Sequence, residues 1–207
     1  MGPRQRRFVF DSRDAGVSNI YIMDVNERVP RRIEMDVTDN SIPSWSHDGR
    51  WIYFRSDAPG HGGIYRVAST GGHATLVVAG DGYQAVESAD GKDLFYALGY
   101  KRNVIHRVSL ATGADELMSA LPSNGEIVSW TPAPGGLYYM QQLPSGEASV
   151  HFYDSGAGQA RKVADLPKDK QLTPMIGGLS LSPDGQHLLY AQIDQQESDI
   201  MLVENFR

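Results

Sequence analysis

The chain has 207 residues, 41% of them hydrophobic, enough to bury one sizeable core. Its 22 glycines and 11 prolines are heavy for a helical protein and ordinary for an all-β protein with many turns, and a formal net charge of −6 argues against a non-specific grip on nucleic acid. The absence of cysteine excludes disulfides, cysteine-ligated zinc and cysteine nucleophiles together, and no apolar run approaches the roughly 18–20 residues that cross a bilayer.

The first ten residues carry Arg4, Arg6 and Arg7 but no apolar stretch of the kind a secretory signal needs, so they read as a solvated basic end. Phe8-Val9-Phe10 is the first extended run; Asn19-Ile20-Tyr21-Ile22-Met23-Asp24 follows, and a short strand over Arg31 to Ile33 closes this first unit. The second unit opens on Pro43-Ser44-Trp45-Ser46-His47-Asp48-Gly49-Arg50-Trp51-Ile52-Tyr53-Phe54. Here two β-rich runs flank a Ser-x-Asp-Gly turn, where glycine accepts the positive φ of a tight hairpin. Gly63 to Ala68 repeats the pattern of Asn19 to Asp24, and Ala74 to Val78 forms a fourth strand. The third unit has the hairpin Val86 to Tyr96 with its turn at Ser88-Ala89-Asp90-Gly91, then Val104 to Ser109 and Asp115 to Met118. In the fourth, Ser129-Trp130-Thr131-Pro132 begins the same way, but Ala133-Pro134-Gly135-Gly136 replaces the Asp-Gly turn before Leu137-Tyr138-Tyr139-Met140. Ser149 to Asp154 and Ala160 to Ala164 complete it. The fifth repeats the hairpin as Leu181-Ser182-Pro183-Asp184-Gly185 to Tyr190, and the third strand as Asp199 to Glu204.

Asp48 and Asp90 stand 42 residues apart, and the equivalent Pro134-Gly135 turn lies about 44 residues further on. Four strands in about 40–50 residues is the size of one β-propeller blade, and no segment shows the three- and four-residue apolar spacing of an amphipathic helix. The predicted fold is therefore all-β: a β-propeller of four-stranded antiparallel blades in a single domain over residues 1–207, with units at about 7–35, 42–79, 84–119, 125–165 and 174–206. The first unit lacks its innermost strand, because Phe8-Val9-Phe10 aligns with the second strand of a blade. The last ends at Phe206 after its third. Three complete blades with a partial one at each end make an incomplete ring, with the missing blades expected upstream; a strained five-bladed ring is the alternative. An open ring exposes an apolar blade face, so poor solubility or self-association of this chain alone is expected.

The run Pro43 to Phe54, with Asp184-Gly185 and the Ile-Tyr strand, resembles the repeat of TolB and its relatives over nearly the whole chain. His47 and Ala89 depart from that repeat, standing where proline usually precedes Asp-Gly. A narrower resemblance lies in Gly178 to Gly185, Leu189 to Gln192 and Glu197 to Phe206, which are similar to a bacterial group common in acidobacteria. Those proteins join an N-terminal winged-helix DNA-binding domain, often with a membrane-spanning segment, to a C-terminal TolB-like propeller. This resemblance implies that the chain is the propeller end of such a regulator, with no nucleic-acid contact of its own and no membrane segment within it. The compartment stays open: periplasmic if an upstream segment anchors it, otherwise cytoplasmic.

Catalytic signatures are missing. There is no Gly-x-Ser-x-Gly elbow, no His-Glu-x-x-His, no P-loop and no dinucleotide-binding glycine motif. His106 and His151 align with Tyr21 and Tyr65 and read as packing residues; His47, His61, His73 and His187 read as solvated. Asp36 with Asp39, and Asp194 with Glu197 and Asp199, read as solvated loops, and calcium is the one cofactor they leave open. Trp45, Trp51, Tyr53, Phe54, Phe95, Tyr96, Tyr138, Tyr139 and Tyr190 are expected to fill the space between blades. Ser46, Asp48, Gly49, Ser88, Asp90, Gly91, Ser182, Asp184 and Gly185 are expected to satisfy turn backbone groups. Binding in such folds lives on loops, here Ser56 to Gly62, Leu98 to Asn103 and Gln141 to Glu147. The function expected is a non-catalytic sensor or interaction module for a protein or small ligand. The alternatives are the propeller of a periplasmic TolB-type scaffold and the accessory propeller of a prolyl oligopeptidase-like hydrolase.

Overall fold

A computed structural model describes residues 6–14, 16–99, 101–118, 121, 124–168, 171–172, 178–182 and 184–193. No helix occurs among them. Strands β1 (Arg7–Asp14), β2 (Val17–Asp24) and β3 (Arg31–Arg32) form a three-stranded antiparallel sheet, blade I. Blade II is β4 (Asn40–Trp45), β5 (Trp51–Ser56), β6 (Gly63–Ala68) and β7 (Thr75–Ala79). Blade III is β8 (Gly82–Glu87), β9 (Asp93–Leu98), β10 (Lys101–Ser109) and β11 (Asp115–Leu117). Blade IV is β12 (Glu126–Ala133), β13 (Gly136–Gln142), β14 (Ala148–Asp154) and β15 (Gln159–Asp165). Each of the three is a four-stranded antiparallel meander in chain order, and the sheets are open, as in an incomplete propeller.

Blade V is fragmentary. β16 (Gln171–Leu172) pairs with β19 (Gln192–Ile193), and β17 (Leu179–Leu181) pairs with β18 (Leu188–Tyr190). The two ladders run along one stretch of chain, 188–193. The third strand expected at Asp199 to Glu204 lies outside the described residues, as do Asp194, Glu197 and Asp199.

The core is divided into four slabs, one between each pair of successive blades. Ile20 and Ile22 of blade I meet Ile52, Phe54, Tyr65 and Val67 of blade II. On the other side of blade II, Tyr53 and Ile64 meet Leu94, Tyr96 and Val108. Phe95 and Ile105 then meet Trp130, Leu137 and Tyr139, and Val128, Met140 and Val150 meet Leu172 and Leu179. Strand alternation explains the arrangement: Ile52 and Phe54 point to one slab and Tyr53, between them, to the next. A strand buried on both faces is continuously apolar, which is why Trp51 to Phe54 and Leu94 to Leu98 read as unbroken runs.

One stacked ring pair recurs in blades I to IV. Phe10 stacks on Tyr21 with ring centroids 5.7 Å apart, Phe54 on Tyr65 at 5.9 Å, Tyr96 on His106 at 5.0 Å and Tyr139 on His151 at 5.1 Å. The two histidines thus fill the place of Tyr21 and Tyr65. Burial is the main cause holding the His151 imidazole below its usual pKa; nearby Lys162 acts in the same direction and Asp165 opposes it. An unfolded chain takes up a proton here near pH 6.5 while the folded chain resists, so this contribution is complete above that pH and is lost as the pH falls from there through the lower folded value. His151→Tyr is expected to flatten the loss of thermal stability between about pH 8 and about pH 5.5; an unchanged pH profile by calorimetry would remove His151 from the account. Asp36, Asp48, Asp90, Asp184 and Glu147 are held below their usual values, Asp48 at about 2 through the Arg50 backbone N–H. Their contributions disappear only in a separate, more acidic window, below about pH 4.

The inner strands of blades II, III and IV each carry a β-bulge of one extra residue, between Ser41 and Ser44, Tyr83 and Val86, and Ile127 and Ser129. In the first two, Ile42 and Gln84 adopt left-handed φ values of 54° and 51°. Such a φ is strained for a β-branched residue and persists only where surrounding structure fixes it. For Ile42 part of that fixing is the Asp11 carboxylate, which accepts its N–H at 3.1 Å.

Candidate functional site

The strand meanders put two kinds of connection on opposite faces of the blade stack. One face carries the β4–β5, β8–β9 and β17–β18 hairpin turns, which hold all nine predicted turn residues. In the first, Ser46 Oγ donates to Asp48 Oδ1 at 2.9 Å and accepts the Trp51 N–H, Asp48 Oδ1 accepts the Arg50 N–H, and the Gly49 N–H reaches the Ser46 carbonyl. Ser88 Oγ and Asp90 Oδ1 do the same with Asp93 and Lys92, as do Ser182 Oγ and Asp184 Oδ1 with His187 and Gln186. Gly49, Gly91 and Gly185 share φ values of 68–70°. The three serine hydroxyls and one carboxylate oxygen of each aspartate are thus engaged within their own turns.

Between blades II and III, residues that sequence reasoning missed tie the stack together. Glu87 accepts the Tyr53 hydroxyl at 2.6 Å and the His47 N–H at 3.0 Å. Burial, first, and this carboxylate, second, raise the Tyr53 pKa well above its ordinary value. Arg55, whose side chain is only 12% exposed, pairs with Asp57 at 2.6 Å and Asp81 at 2.9 Å and lies over the Tyr83 ring. Asp115 accepts the Tyr96 hydroxyl and contacts His106 Nδ1 at 2.9 Å within blade III. Asp36 and Asp39 lie in the expected loop, the Asp36 side chain 49% exposed, and both also make hydrogen bonds: Asp36 accepts the Ala74 N–H and contacts His73 Nδ1, and Asp39 accepts the Ser18 N–H. No group of three or more His, Cys, Asp or Glu able to hold a metal ion lies among the described residues.

One serine–histidine contact has the atom types of a nucleophile and base: Ser149 Oγ lies 2.8 Å from His151 Nε2. The two stand two residues apart on β14, the imidazole is stacked on Tyr139, and among the described residues no hydrogen bond orients its Nδ1. The arrangement lacks the third group that holds a catalytic imidazole in position.

The opposite face carries the β5–β6, β9–β10 and β13–β14 connections, the three loops singled out from sequence. A cleft of about 610 Å³ opens there on blade IV, within the range of small-ligand and peptide sites. Asn124, Glu126, Gln142, Leu143 and Gly146 line it. The β13–β14 loop is closed by the Leu143 N–H on the Glu147 carbonyl at 2.8 Å and braced by Lys168 on Glu147, also 2.8 Å. At its base Gln141, 4% exposed, donates to Asn124 Oδ1 at 2.9 Å. The Glu126 carboxylate has no ion-pair partner among the described residues. Carboxamides, one free carboxylate and an apolar wall can grip an extended peptide, but they include no nucleophile. Of the cleft residues, sequence reasoning found the Gln141 to Glu147 side and missed Asn124 and Glu126, which no local pattern distinguishes from a linker.

The family described as the TolB beta propeller domain matches residues 1–163. Among solved structures, TolB from Acinetobacter baumannii is similar with a TM-score of 0.63 and 18% identity, over 80% of this chain and 42% of that one. A putative TolB from Agrobacterium tumefaciens gives 0.64 and 18%, over 80% and 64%. Prolyl oligopeptidase B from Galerina marginata gives 0.59 and 15%, over 88% of this chain and 30% of that enzyme. A curated relative, an uncharacterized protein of Agrobacterium fabrum, is 42% identical over 55 residues, 27% of this chain and 19% of its own length. The chain thus spans less than two thirds of these relatives, and at such identities the structural likenesses speak for the fold alone.

Proposed function

Because this chain belongs to the TolB β-propeller domain family, we propose that it is a non-catalytic, protein-binding propeller of a TolB-type scaffold whose partner seats an extended segment in the blade IV cleft. The observation that carries this reading is the contrast between the two faces: the serine and aspartate side chains of the turn face are engaged within their own turns, whereas the loop face holds a ligand-sized cleft lined by Glu126, whose carboxylate has no ion-pair partner among the described residues. The winged-helix regulator reading draws no support from the relatives, and the TolB likenesses favour the scaffold. An accessory propeller of a hydrolase is the second reading, favoured by the likeness to prolyl oligopeptidase B; the chemistry would then belong to another domain.

Displayed-peptide selection against the purified chain tests the proposal. Selected peptides are expected to be extended and to carry a basic residue, and Glu126→Arg or Leu143→Asp is expected to weaken them about tenfold or more. Lys92→Glu on the turn face should leave them unchanged. Peptides indifferent to both cleft variants would overturn the site. Turnover of generic esters or peptides abolished by Ser149→Ala would overturn the non-catalytic reading.

A further inference from the structure

We propose that β7, the outer strand of blade II, pairs antiparallel with β7 of a second copy of this chain, joining the two blades into one continuous sheet across a twofold axis. Blade II is a complete four-stranded blade with a neighbour on each side, and its faces are covered by the slabs with blades I and III. Among the described residues β7 pairs only with β6. Its other edge therefore carries a row of main-chain donors and acceptors along the rim.

Native sheets guard such edges with charge, proline or short length. The other rim strands follow that rule. β3 is two arginines preceded by Pro30, β11 carries Asp115 and Glu116, and β15 carries Arg161, Lys162 and Asp165. β7 is Thr-Leu-Val-Val-Ala, and the run from Gly71 to Gly80 contains no Asp, Glu, Lys, Arg or Pro. Thr75, Leu76 and Ala79 are exposed, Leu76 at 46%. An uncharged, β-branched edge has the composition that favours strand pairing.

Charge also selects the occupant. A charged strand finds no counter-charge on β7, whereas an identical strand opposes only uncharged side chains. Self-pairing of β3 would instead oppose arginines, and of β11 carboxylates. The ladder to β6 pairs Ile64 with Val78 and Tyr65 with Leu76, leaving Val77 as a one-residue bulge that packs on the slab with blade III. A twofold axis through Val77 sets the two bulges opposite each other. Thr75 and Leu76 of one copy then face Ala79 and Val78 of the other, in register on both sides of the axis. Such a contact is isologous and stops at a dimer.

The chain has no cysteine, so single introduced thiols report the pairing directly. Opposed residues of an antiparallel pair have Cα atoms about 4.5–5.5 Å apart, within disulfide reach. An equimolar mixture of Thr75→Cys and Ala79→Cys chains is expected to form a mixed disulfide dimer on mild oxidation. Either variant alone is expected to give about tenfold less, because like positions lie four residues apart along the ladder. Leu117→Cys on the rim of blade III, 54% exposed, is expected to stay unlinked. In sedimentation velocity the wild-type chain is expected to pass from monomer to dimer with concentration and Leu76→Lys to stay monomeric, while Leu76→Lys mixed with Leu76→Asp regains the dimer. Circular dichroism checks the fold of each variant, and Thr75→Lys with Thr75→Asp replaces the Leu76 pair if either of those misfolds. A wild-type monomer at every concentration, or association that survives Leu76→Lys, would overturn the proposal. Like-position disulfides as abundant as mixed ones would overturn the antiparallel register.

Discussion

Gly136→Ala is expected to cost about 3 kcal/mol or more of stability, seen as a large drop in the chemical denaturation midpoint at unchanged slope. Gly136 opens β13 and pairs on one side with Ala133 and on the other with Asp154. A Cβ at this position would lie 1.8 Å from the Tyr153 carbonyl oxygen and 2.9 Å from its carbon. Both are backbone atoms of the adjacent strand, so no flexible side chain can yield and the ladder itself must part. Gly135 next to it has a φ of 78° and nothing within 4 Å of a built Cβ. Gly135→Ala should therefore cost only the left-handed penalty, about 1–2 kcal/mol. Equal losses for the two variants would refute the close-approach argument.

Phe54→Ala is expected to cost about 3–5 kcal/mol. The ring is fully buried in the slab between blades I and II, stacked on Tyr65. Blade I has three strands, and the slab of Ile20 and Ile22 against blade II is the packing that holds it. The loss should therefore be local before it is global. Native-state hydrogen exchange is expected to speed up first in β1 and β2, with β12 to β14 protected until global unfolding. Uniform acceleration across the blades would show that the slab does not stabilise blade I separately. Tyr139→Ala, on the slab between blades III and IV, should reverse the pattern and open blade IV first.

These two positions show unequal legibility. Phe54 announces itself: an aromatic flanked by β-branched and aromatic residues, returning every 40-odd residues, reads as blade packing. Gly135 and Gly136 are identical letters side by side, and only the course of β14 past β13 separates the one that must remain glycine from the one that need not. The bulges are equally silent. Nothing in Ser41-Ile42-Pro43 warns that an isoleucine will adopt a left-handed φ, since neighbouring strands impose it against local preference. Gln171-Leu172 has no turn or periodicity to mark it as the partner of Gln192-Ile193. Half of the cleft was readable as a functional loop, while Asn124 and Glu126 reach it by the path of an inter-blade linker.

From its residues alone the chain dictates the all-β class, the repeat, the hairpin turns and the two-sided burial of its strands. All of these follow from interactions that close within a few residues: Ser46 reaches Asp48 two positions on and Trp51 five positions on, and strand alternation needs only nearest neighbours. Tertiary structure decided that Glu87 serves Tyr53 and that Arg55 joins Asp57 and Asp81. Those partners sit up to 34 residues away, at separations set by how successive blades stack. No spacing along the chain encodes such a distance, because a one-residue change in a loop or bulge alters the numbering without altering the contact.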